Sequence, residues 1–184
     1  NFYRDNVLEG SFDASDLNLI NNTNSIYIGN NQNDYFDGLL DDVRIYDRAI
    51  TSDEVQNLYN LKTENDLILK YDFEQYDYSA NIVYDESKNT SHGILENKES
   101  ENNDFVKDIG EYAVNGTAFN TDIDQYIKIS TDTSNVVQGN NLDNCTFTAW
   151  VKTNNVSSFE PIIHKEGVFS FGLNYGHATL KLGD

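Results

Sequence analysis

The chain has 184 residues, with 31 acidic against 12 basic side chains and a formal net charge of −19, which argues against nucleic acid and anionic membrane surfaces as partners because both would repel it. No apolar run approaches the roughly 18 residues a membrane-crossing helix needs, so membrane insertion is not expected. A single cysteine, Cys145, rules out an internal disulfide, and its place in a strand pattern makes it a packing thiol rather than a nucleophile. Methionine is absent, as expected of a piece of a longer chain.

In chain order, Phe2 to Leu8 reads as a hairpin, with Asp5-Asn6 able to take positive φ at its turn. Ser25 to Gly29 (SIYIG) is a short strand ended by glycine. Tyr35 to Leu61 then joins a strand to a helix. Gly38 opens the strand, and simple alternation puts Leu39, Asp41, Val43 and Ile45 on one face and Leu40, Asp42, Arg44 and Tyr46 on the other. A short helix follows near residues 52–60, with Thr51 as N-cap, Glu54 three residues on, and Val55, Leu58 and Tyr59 as its apolar stripe. Lys62 to Asp66 (KTEND) reads as a polar linker. Beyond it comes a strand at Leu67 to Phe73, followed by Val83 to Leu95, and FTAWVK at Phe147 to Lys152 alternates as a strand. A last hairpin, Phe169 to Leu182, turns at Tyr175-Gly176. Short alternating strands, Gly/Asn turns and one convincing helix predict an all-β fold, an antiparallel β-sandwich of jelly-roll type.

The stretch FDGLLDDVRIYDRAITSDEV resembles the closing motif of laminin G-like domains of the concanavalin A-like lectin/glucanase type, through Phe36, Gly38, Leu40, Asp41, Asp42, Val43, Arg44, Ile45, Tyr46, Arg48, Ala49 and Glu54. Asp47 stands where that family usually has Asn. Asp85, Ser87, Asn89, His92, Gly93 and Leu95 resemble the family's opening segment, and FTAWVK its most recognisable core strand. The resemblance implies that residues 1–61 are the C-terminal part of one such domain. Residues 62–66 are then a linker, and residues 67–184 the N-terminal part of a second domain. The alternative is one circularly permuted sandwich.

Chemistry-bearing motifs are sparse. His92, His164 and His177 show no metal-ligand spacing, and there is no nucleophile elbow and no phosphate-cradling glycine loop. The alternating acidic triplet of the superfamily's glycosidases is missing, so the chain is not expected to be an enzyme. Asp85, Ser87 and Asn89 recur at spacing two and offer the hard oxygens that Ca²⁺ takes. Many relatives hold Ca²⁺ at the sandwich rim, so the resemblance points the same way. Asp41 and Asp42 are alternative ligands, their ordinary role being to pair with Arg44 or Arg48 or to hydrogen-bond a facing loop. Tyr76, Tyr78, Tyr126 and Tyr175 are candidates for stacking on sugar rings, and Trp150 is expected to be buried packing. Asn-x-Ser/Thr sequons stand at Asn21, Asn89, Asn115, Asn144 and Asn155.

The expected function is a non-catalytic binding or adhesion module of a larger extracellular, cell-surface or virion-surface protein. A glycan is its first expected partner, a surface protein the second, and neighbouring repeats of the same chain further contacts. The rivals are a structural spacer or interaction domain in a repetitive fibre or capsid-associated protein, and an accessory domain of a glycoside hydrolase.

Overall fold

The computed structural model describes residues 1–11, 24–46, 48–59, 67–107, 116–121, 124–130 and 145–182. The expected linker at 62–66 and the sequons at Asn21, Asn115 and Asn144 lie outside them. Among the described residues, fifteen strands and two helices run in the order β1 (Phe2–Arg4), β2 (Val7–Gly10), β3 (Ile26–Ile28), β4 (Gly38–Tyr46), α1 (Ser52–Tyr59), β5 (Leu67–Tyr71), β6 (Tyr76–Asp77), β7 (Ile82–Val83), β8 (Gly93–Glu96), α2 (Glu101–Asp104), β9 (Phe105–Lys107), β10 (Thr117–Asn120), β11 (Tyr126–Ile129), β12 (Thr146–Thr153), β13 (Phe159–Lys165), β14 (Phe169–Asn174) and β15 (His177–Leu182).

Apart from the β1–β2 hairpin, the strands form two antiparallel sheets. The eight-stranded sheet runs β15-β14-β13-β3-β11-β8-β7-β6. The five-stranded sheet runs β12-β4-β10-β9, with β5 also paired to β4. Ile26, Ile28, Leu95, Ile127, Ile129, Ile163 and Phe169 line the inner face of the larger sheet, and Leu40, Val43, Ile45, Phe105 and Phe119 that of the smaller, in one shared core. Phe147 bridges the layers, its ring 4.7 Å from Phe169 and 5.8 Å from Phe171. This is the two-layer antiparallel sandwich expected of the concanavalin A-like class.

Strands from either side of residues 60–66 alternate within both sheets. β3 lies between β13 and β11. β4 has β12 along one side and, on the other, β5 beside its second half and β10 beside its first.

β4 departs from simple alternation. Arg44 faces Thr148 and Asp41 faces Trp150, so Asp42 and Val43 together oppose Ala149. This is a β-bulge, with Asp42 in the left-handed region at φ 48°. The extra residue re-aims the strand, so the core face is Leu40, Val43 and Ile45 rather than Leu39, Asp41, Val43 and Ile45. Without the bulge the Asp41 carboxylate would point into the apolar layer; with it, Asp41 Oδ1 accepts the Asp42 N–H at 2.7 Å. Gly38 has a close-approach role, since a Cβ there would overlap the Lys152 carbonyl oxygen of β12.

Local signals worked where the chemistry was local. Asp5 and Asn6 turn the first hairpin at φ 49° and 63°, and Tyr175-Gly176 turn the last at 52° and 77°. Thr51 and Glu54 form a reciprocal capping box, Thr51 N–H donating to Glu54 Oε2 at 2.8 Å and Glu54 N–H to Thr51 Oγ1 at 3.3 Å. Trp150 is only half-buried. It lies on the face of β12 opposite Phe147 and Ala149, where α1 covers it and Tyr59 stacks on it at 5.4 Å.

Candidate functional site

The tyrosines singled out by sequence fall in three places. Tyr76 lies flat on Phe105 (4.0 Å, 7°) and donates to Glu101 Oε1 at 3.0 Å. Tyr78 meets the same ring edge-on and donates to Asp104 Oδ2 at 2.8 Å; burial and that carboxylate push its phenol up to about 12. These two clamp the β6 edge to α2 and β9. Tyr175 stands 66% exposed in the β14–β15 turn, towards the opposite edge of the eight-stranded sheet.

Tyr126 is placed differently. Alternation in β3 and β11 turns Ile26, Ile28, Ile127 and Ile129 inward, which leaves Tyr27, Tyr126 and Lys128 on the outer face. Lys128 stands directly opposite Tyr27, and Tyr126 is the diagonal neighbour of that pair, its ring 5.9 Å from the Tyr27 ring at 50°. On the far side of β11, Glu96 faces Tyr126 and the exposed Ile94 faces Lys128. His164 on β13 faces Tyr27, ring to ring at 6.0 Å. The Tyr126 phenol is pushed up by burial first, then by the charge of Glu96 opposite it and by Tyr27, Tyr35 and Asp124. Tyr35 is itself 38% exposed.

The outcome is a shallow, half-exposed platform of aromatic faces rimmed by two carboxylates and one ammonium. An aromatic face carries negative quadrupole density and suits the C–H-rich side of a sugar ring, while the rim groups suit its hydroxyls. Tyr27 and Tyr35 were missed from sequence. The available signal was Tyr27 between two inward isoleucines in SIYIG.

The acidic candidates are already engaged. Asp85, 4% exposed, accepts the N–H groups of Lys70 (3.0 Å), Ser87 (2.9 Å) and Ser91 (2.8 Å) and the Ser87 hydroxyl (2.8 Å). Four donors occupy the four lone-pair positions of the Asp85 carboxylate, which staples its loop to β5. Asn89 Nδ2 donates to the Ile68 carbonyl at 2.8 Å, in the same staple. Asp42 grips Arg44 with two bonds of 2.7 and 2.8 Å, and Arg48 pairs instead with Glu54. Among the described residues no group of three or more His, Cys, Asp or Glu is arranged to hold a metal ion. None of the described helices is long and apolar enough to cross a membrane.

One carboxylate stands out energetically. Glu160 is 1% exposed, with Oε1 unpartnered among the described residues and the Thr153 hydroxyl bonded to Oε2; burial pushes its pKa up. A recess of about 390 Å³ lined by Phe2, Ala178, Thr179, Leu180 and Leu182 lies along β15, at the edge of the sheet and away from the tyrosine platform.

Fold and motif together are consistent with a concanavalin A-like β-sandwich. Residues 1–56, which carry the closing motif, match the family model described as the Concanavalin A-like lectin/glucanases superfamily, of laminin G type. Comparison with curated proteins and with solved structures gives no match.

Proposed function

We propose that the chain is a non-catalytic glycan-binding module of a larger surface or extracellular protein, and that the outer face around Tyr27 and Tyr126 is where the sugar binds. The observation that carries this reading is the Tyr27–Tyr126 ring pair beside Glu96, Asp124 and Lys128 on a half-exposed sheet face. The superfamily match supports a binding module in general. We also infer that residues before 60 and after 66 make one circularly permuted sandwich in place of two adjoining partial domains. The supporting observation is the alternation of their strands within both sheets around one core. On this reading the platform itself is composite, with Tyr27 supplied by the first part of the chain and Tyr126 by the second.

The test is titration against a panel of oligosaccharides by calorimetry. Tyr126→Ala and Tyr27→Ala should each weaken the best binder by about tenfold, about 1.4 kcal/mol, as expected for loss of one stacked ring. Tyr175→Ala and Tyr76→Ala should leave the affinity within about twofold. Unchanged affinity in Tyr126→Ala and Tyr27→Ala, with both variants folded, sinks the proposal.

A further inference from the structure

Among the described residues, every strand pairing made by β3 and β4 crosses residues 60–66. β3 pairs with β11 and β13, and β4 with β5, β10 and β12. Among the described residues, the only pairings inside residues 1–59 are the β1–β2 hairpin and one isolated bridge, Asn30 to Tyr35. The apolar groups of this segment, Ile26, Ile28, Phe36, Leu40, Val43 and Ile45, are all 0% exposed, and they are buried in the core shared with the later strands. Even the end of the segment is tied across: the Ile50 N–H donates to Thr146 Oγ1 at 3.1 Å, Thr146 Oγ1 donates to the Arg48 carbonyl at 2.9 Å, and Tyr59 stacks on Trp150. Lifting out β3 would cut the eight-stranded sheet between β13 and β11. Lifting out β4 would detach β12 from the five-stranded one.

We propose that the part of the chain up to residue 59, with the β1–β2 hairpin that touches β15, is an exchangeable closing segment, and that the partner its slot fits is a second copy of this chain. This rests on the single-sandwich reading above. None of these contacts depends on which copy supplies the segment; only the connection through residues 60–66 does. Reciprocal exchange therefore gives a closed two-fold dimer in which both sandwiches are complete and no new interface is required. What opposes it is the tether, which holds the chain's own segment at an effective concentration of order millimolar. Below that level the dimer-to-monomer ratio is proportional to the protein concentration at which the chain refolds. It should rise roughly tenfold between about 10 µM and about 100 µM and approach parity near about 1 mM.

The experiment uses the full chain with Cys145→Ala. Leu39 and Lys152 face each other across β4 and β12, and neither is buried. Leu39→Cys and Lys152→Cys are made singly, on chains of different mass, and together. All are refolded from denaturant over the concentration series and treated with a short thiol crosslinker. The double variant should crosslink within one chain at low concentration; failure there overturns both the single-sandwich reading and the exchange that rests on it. The mixed single variants should give a crosslinked dimer containing one chain of each mass, rising with concentration as stated. A double variant that crosslinks in cis, with mixed singles that yield no such dimer at about 1 mM, overturns exchange while leaving the single sandwich intact. The unsubstituted chain, followed by light scattering after the same refolding, guards against variants that fail to fold. Monomer at every concentration overturns the proposal, and dimer growing in proportion supports it.

Discussion

Asp85→Ala separates a structural staple from a cation site. The Asp85 carboxylate accepts three backbone N–H groups, from Lys70, Ser87 and Ser91, whose residues are 8%, 8% and 3% exposed. A hydrogen bond to a charged group is worth about 1.5–3 kcal/mol, and a buried donor left without a partner costs about 1–3 kcal/mol. Some water will reach the three orphaned N–H groups, so a loss of about 3–5 kcal/mol is expected, a large share of the 5–15 kcal/mol that holds a typical domain together. Asp85→Asn should cost somewhat less, because one oxygen still accepts while the amide nitrogen meets N–H donors. The assay is equilibrium urea unfolding of each variant in millimolar Ca²⁺ and in chelator. The staple predicts the same loss in both conditions. A loss below about 1 kcal/mol refutes the hydrogen-bond reasoning, and a loss confined to the Ca²⁺ condition would restore the loop as a cation site.

Three further outcomes follow from the same geometry. Gly38→Ala should destabilise by about 1–3 kcal/mol or more, since its Cβ meets the backbone of β12 rather than a flexible side chain; an unchanged urea midpoint would show that β12 has room to move. Glu160 has a raised folded-state pKa, so it favours the folded state below the ordinary carboxylate range, and that contribution is lost as pH rises through the folded value. Glu160→Gln should therefore raise the thermal midpoint at pH 7.5 relative to the parent and give no gain at pH 4; a gain equal at both values would contradict the burial argument. Tyr59→Ala should red-shift Trp150 emission and increase its quenching by acrylamide, because the Tyr59 ring covers one face of the indole; an unchanged spectrum would mean that Trp150 is covered by something else.

The parts of the fold legible in the sequence were those decided within a few residues. Asp5-Asn6 and Tyr175-Gly176 can take positive φ on their own chemistry, and Thr51 and Glu54 cap a helix across three positions. The motif from Phe36 to Glu54 was readable as a pattern, but the inward face of its strand was not. The Asp42 bulge sits where β5 and β10 share one flank of β4, and no local rule announces where two distant strands will part company. α2 and β9 were missed for a related reason: Tyr76, Tyr78 and Phe119 pack on Phe105 from elsewhere in the chain and hold that stretch in place. The candidate site was half legible. Tyr126 was named because it is a tyrosine in a strand, but its pairing with Tyr27 exists only because residues 26–28 and 126–129 are neighbours in the folded sheet. At Asp85, spacing shows which oxygens are near each other, and not how many N–H donors the fold delivers to them.

The central claim is that one sandwich, assembled from both parts of the chain, presents a composite sugar-binding face. Its most direct test is an NMR titration of the isotopically labelled chain with the tightest binder from the oligosaccharide panel. The ring resonances of Tyr27 and Tyr126 and the amide of Lys128 should shift together along one binding curve, because the three lie side by side across β3 and β11. Shifts confined to one part of the chain, or centred on Tyr76 or Tyr175 while Tyr27 and Tyr126 stay unmoved, would contradict it.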